Sequence, residues 1–254
     1  MKIALLFFGQ LRFIDNPYTV ESHHQAIINR FDTDIFAHTW WSEKETEYSA
    51  SVHVAGDKPK VDSQALNKFR QKYKITRLQT EESKFFEEEA KEFLDKSIKH
   101  NWPDIFTPGW FLKERAFNNL LSHLYSIEQV GKLLDRHIQE TGTNYDLVIL
   151  SRPDVCIWEY PILEKLEKNN FYLSNHHGRF PDLQFIFHPN FRQWLNVYTH
   201  TITISTKELY SLWEPCAEAL KFSSYRTRYD TRYLKPTRLP VRIVRGDDCK
   251  GPQW

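Results

Sequence analysis

The chain has 254 residues, 41% of them hydrophobic and 15% aromatic, enough to build the core of one large α/β domain or two small ones. A net charge of +1 excludes a global field that would attract nucleic acid or anionic membrane, so any basic patch is local. Three dispersed cysteines, Cys156, Cys216 and Cys249, offer no zinc knuckle, redox pair or disulfide framework, and are expected as reduced thiols of a cytoplasmic protein.

The opening "MKIALLFFGQLRF" has a lysine and a short apolar run, but the run covers only Ile3–Phe8 and no small-residue cleavage site follows. It reads as a first strand, closed by Gly9, with the continuous apolar pattern of a parallel sheet. Nowhere does an apolar stretch approach the ~18–20 residues of a membrane span. Val20, Ile27, Ile28 and Phe31 then predict a helix, and 33–41 a second strand, completing a parallel βαβ unit. Residues 42–110 are less regular and read as a helical and loop insertion. Within them, 83–100 is amphipathic, with its acidic run on a solvated face. Trp102, Phe106, Trp110 and Phe111 would suit either an acceptor platform or a small core.

Residues 111–139 predict the longest helix, with Phe117, Leu120, Leu121, Leu124, Ile127, Leu134 and Ile138 at three-to-four spacing. Arg115, Asn119, Ser122 and Ser126 form another stripe, towards solvent or a ligand cleft. Strands follow at 145–150, 170–175 and 183–187, then a helix from about Asn190, a helix over 206–222 and a late strand in 239–246. The pattern predicts a single α/β domain over 1–254, with a mostly parallel central sheet flanked by helices. The adjacent pairs His23–His24 and His176–His177 diverge on helix or strand and are expected in ordinary polar roles.

Ligands of open α/β sheets bind beyond the carboxyl ends of the strands. Gly9-Gln10-Leu11-Arg12, His38-Thr39-Trp40 and Ser151-Arg152-Pro153-Asp154 follow three apolar strands, and a parallel sheet would bring them to one rim. A close backbone approach at Gly9, two arginines, an aromatic ring and a carboxylate match the needs of a nucleoside diphosphate. Arg152 and Asp154 would also suit a salt-bridged strand end, with Pro153 fixing φ.

The ordered set "FFGQLR", "DTDIFAHTWW", "LLSHLYSIEQVGKLL", "YDLVILSRPDV" and "FPDLQFIFHPNFRQWLNVY" resembles a family of GT-A-type glycosyltransferases associated with bacterial, phage and large-virus surface polysaccharides. The resemblance covers roughly 1–40 and 115–200. It implies a GT-A-like, Rossmann-like fold, a nucleotide-diphosphate sugar donor and a glycan acceptor. It aligns Asp154 with the metal-binding aspartate that holds Mn²⁺ or Mg²⁺, while Arg152 stands where such enzymes carry another aspartate. Gly9, Gln10, Arg12, Trp40 and Arg152 then become nucleotide or phosphate contacts, and Asp182 the acceptor-side base. Two alternatives remain. The segment 225–245 carries six arginines and Lys235 against one aspartate, among tyrosines, which would suit nucleic acid. Another phosphate-donor group transferase, such as a sulfotransferase, would need a phosphate loop that the first strand does not carry.

Overall fold

Six consecutive side chains of strand β1 (Lys2–Gln10), Ile3–Phe8, are buried, which requires cover on both faces. Strand alternation supplies the two cores. Ala4, Leu6 and Phe8 meet the apolar face of helix α3 (Glu114–Thr141), and Ile3, Leu5 and Phe7 pack with Ile27, Leu66 and Phe69 on the other side. The computed structural model describes residues 1–43, 46–47, 60–61, 63–84, 86, 88, 114–157, 160–168, 171–175, 184–199 and 238–243. Most of the amphipathic stretch, the aromatic residues at 102–111, the 206–222 helix, His176–His177 and Asp182 fall outside them, as does most of 225–245.

Helix α1 (Pro17–His23) starts where Asn16 accepts a hydrogen bond from the Tyr18 N–H at 3.0 Å and Pro17 supplies a helical φ. It runs into a π-helical turn, His24–Ile28, before β2 (Asp32–Trp40), which pairs in parallel with β1. His23 and His24 take separate partners, the Tyr73 hydroxyl at 2.8 Å and the Lys72 carbonyl at 2.9 Å.

Part of the expected insertion belongs to the main sheet. Beyond a small ribbon of β3 (Thr46–Glu47) and β4 (Lys60–Val61), helix α2 (Ala65–Lys72) leads into β5 (Arg77–Glu81), which joins β2 in parallel. Sequence reading passes over this second strand–helix–strand unit because β5, "RLQTE", is a half-exposed edge strand with one large apolar residue.

After α3 come β6 (Leu147–Ser151), β7 (Val155–Ile157), β8 (Phe171–Asn175), β9 (Gln184–Phe187) and β10 (Arg238–Ile243). The eight-stranded sheet has the order β5-β2-β1-β6-β9-β8-β10-β7. The first four run parallel, and β9 is antiparallel to both its neighbours, so the sheet is mixed and mostly parallel. Strand β10 changes partner after Pro240, from β8 to β7, at the residue that has no N–H to donate.

The helix expected from about Asn190 opens instead as a 3-10 segment, Pro189–Leu195, and α-helical residues follow at 197–199. Its tighter turns, such as Phe191 N–H to the His188 carbonyl at 2.9 Å, bring both Trp194 and Leu195 into the core. Gly131 of α3 is required by this packing, since a Cβ there would lie 2.8 Å from the Leu195 Cβ. Among the described residues no helix is long and apolar enough to cross a membrane.

Candidate functional site

The chain lays β1, β2 and β5 outward on one side, then returns to place β6 against the other edge of β1. The strand order therefore reverses between β1 and β6, and the crevice beyond their carboxyl ends is the ligand position that such a reversal creates. Phe7 lies level with Ser151, so the end of β1 and the Arg152–Asp154 turn share this rim. His38, Thr39 and Trp40, expected just past a strand, are its last three residues, with Gln10 opposite Trp40.

Gly9 has φ +98°, and no described atom lies within 4 Å of where its Cβ would be. Among the described residues nothing crowds this backbone, and its conformation is one that a side chain would strain. The following turn holds Phe13 at φ 52°, an uncommon value for a non-glycine residue, closed by the Asn16 N–H on the Phe13 carbonyl at 2.9 Å. Gln10 Oε1 accepts from Arg12 Nε at 2.6 Å, which restrains that guanidinium in the turn after β1.

Across the rim, Arg152 and Asp154 bind each other through two parallel hydrogen bonds. Nε donates to Oδ1 at 2.7 Å and a terminal nitrogen donates to Oδ2. The carboxylate side chain is 2% exposed and the guanidinium side chain 20%. Asp154 thus lies behind Arg152, and the salt-bridged strand end foreseen as one possibility is present. Ser151 Oγ, at the end of β6, accepts from Gln184 Nε2 at 3.2 Å. Gln184 opens β9 level with Ser151, and Asp182, two residues earlier, lies outside the described residues.

Trp40 is not a free stacking platform. Its ring is 2% exposed, stacks on Tyr125 at 5.6 Å and meets His38 edge-on at 5.0 Å. Even so, Trp40 Nε1, Thr39 Oγ1 and Gln184 Oε1 are buried at this rim without a hydrogen-bond partner among the described residues. Thr39 and Trp40 end β2 while Gln184 opens β9, two strands away across β1 and β6, so these atoms do not share one pocket.

One polar network escapes sequence reading. Ser126 Oγ accepts from the Gly9 N–H at 2.8 Å and lies 2.8 Å from His38 Nδ1, while His38 Nε2 is 3.2 Å from Glu81 Oε1. Burial of the His38 ring outweighs the pull of Glu81 and lowers its pKa to about 4, so the imidazole is neutral at pH 7. Burial alone would raise Glu81, but hydrogen bonds from Lys84, Gln79 and His38 outweigh it and bring its carboxyl to about 2. The ionised carboxylate can only accept, so Nε2 carries the imidazole proton, Nδ1 accepts from the Ser126 hydroxyl, and every donor is used.

The serine–histidine–carboxylate order invites a nucleophile reading. Ser126 and His38 are both 0% exposed, so no substrate reaches the hydroxyl; the chain instead ties α3 to the turn at Gly9. Ser126→Ala is expected to cost about 1–3 kcal/mol, because it strands a buried N–H and a ring nitrogen. Urea unfolding measures this, and a loss below about 0.5 kcal/mol would mean that water replaces the hydroxyl. Only the polar stripe on α3 hinted at Ser126, and nothing local linked it to His38.

Comparison with protein-family models and with curated proteins finds no match to the chain.

Proposed function

We propose that this chain is a GT-A-type glycosyltransferase that moves a sugar from a nucleoside-diphosphate donor to a hydroxyl of a glycan acceptor. The observation that carries the reading is the switch point between β1 and β6, whose carboxyl ends lead into the segments that carry Gly9, Arg12 and Arg152. Glycosyl transfer releases a diphosphate whose charge grows as the bond to the sugar breaks. Fixed guanidinium groups beside a close-approach backbone stabilise that charge with little reorganisation. Asp182, just ahead of β9, is the carboxylate proposed to take the acceptor proton in an inverting reaction.

A panel of UDP, GDP, CDP, ADP and TDP tests the donor class by thermal melting. One base is expected to raise Tm by roughly 5–10 °C at a hundredfold excess over Kd. Indifference to all five would sink the reading. The nucleic-acid alternative rests on 225–245, of which only Arg238–Ile243 is described, as backbone of β10 inside the sheet.

A further inference from the structure

We infer that the site contacts its donor's diphosphate through Arg152, held in place by Asp154, and that this ion pair occupies the position where the family resemblance puts a divalent cation. The inference rests on the glycosyltransferase reading and deepens it. It keeps Arg152 as the expected phosphate contact and changes the role of Asp154, from metal ligand to the group that positions the guanidinium.

Three observations carry it. Both oxygens of Asp154 are already engaged, one at 2.7 Å from Nε and the other with a terminal nitrogen of the same guanidinium. Mn²⁺ or Mg²⁺ would have to reach an oxygen of this nearly buried carboxylate at about 2.0–2.2 Å, either displacing the guanidinium or sharing the oxygen beside a group that stays charged at every working pH. As built, Asp154 does not fit the metal.

The second observation is the order of exposure. The guanidinium side chain is ten times as exposed as the carboxylate, 20% against 2%, so a ligand entering the crevice meets the cation first. The third is the local frame. Buried Pro153 separates the two residues and fixes its own φ, so the pair forms within one turn and keeps the guanidinium plane in one orientation. A planar fork so held recognises phosphate oxygens with a geometry that a lone lysine cannot copy. Arg12, held by Gln10, follows the end of the neighbouring strand β1.

The test is calorimetric titration of the full chain with inorganic pyrophosphate and with the five nucleoside diphosphates, once in EDTA and once in Mn²⁺. Affinity for the preferred nucleotide is expected to agree within threefold between the two buffers. Arg152→Lys should weaken it at least tenfold. Because Arg152→Ala would bury an unpaired carboxylate and risks unfolding, the decisive variant is Arg152→Gln/Asp154→Asn, which removes both charges together. It should melt within a few degrees of the parent and bind pyrophosphate and nucleotide at least a hundredfold more weakly.

Binding that requires Mn²⁺ and disappears in Asp154→Asn would overturn the inference and leave the glycosyltransferase reading intact. Binding that survives in the folded double variant would overturn it too. Silence towards every nucleoside diphosphate in both buffers would overturn the donor reading itself, and the inference with it.

Discussion

Acidification from pH 6.5 to 4 is expected to destabilise the protein by roughly 5 kcal/mol, from two histidines alone. Burial lowers His23 to about 3 and His38 to about 4, against an unfolded value of 6.5. Between those values the unfolded chain takes up protons that the folded chain refuses, so stability falls as pH falls. Each ring contributes a slope of about 1.4 kcal/mol per pH unit. His23 faces Tyr73 and His24, and neither offers a negative charge to rescue an imidazolium. His38 faces Glu81, which keeps its charge through this window, but also Lys84, and burial prevails. Urea unfolding at pH 7, 5.5 and 4.5 measures the slope, which His23→Phe should roughly halve. A flat profile would contradict both buried neutral rings.

Trp194→Ala is expected to cost about 3–5 kcal/mol, the range for deleting a large buried aromatic residue. The indole is 1% exposed and meets Phe171 at 4.8 Å, Phe187 at 4.9 Å and Phe185 at 5.6 Å between ring centres. These rings come from β8 and β9, so the 3-10 segment carrying Trp194 clamps the antiparallel part of the sheet onto α3. The link to the candidate site is β9, whose first residue, Gln184, donates to Ser151 Oγ at the end of β6. Thermal melts measure the loss. Trp194→Phe should recover more than half of it, and a change below 1 kcal/mol for the alanine variant would show that the cage collapses without penalty.

Elements with strong apolar periodicity were legible in the sequence: β1, β2, α3, β6, β8 and β9 follow from runs and three-to-four spacing that burial on the sheet demands. Helix α2 and strand β5 were not, because an edge strand needs little apolar character and a short helix gives too few turns to show a period. The 3-10 segment was misread as a helix because Trp194 and Leu195 signal burial without signalling the turn that achieves it.

For the site, local sequence determined which residues lie at strand ends, since apolar runs stop at Gly9, Trp40 and Ser151 by chain chemistry alone. Only tertiary structure decided what those residues pair with and how deeply they are buried. A two-residue spacing between Arg152 and Asp154 permits a metal ligand or an ion pair, and the choice depends on which group the fold buries. Ser126 and His38 are 88 residues apart in the chain and meet only because α3 packs across β1 and β2. Burial and long-range pairing depend on the whole chain, and no window of residues encodes them.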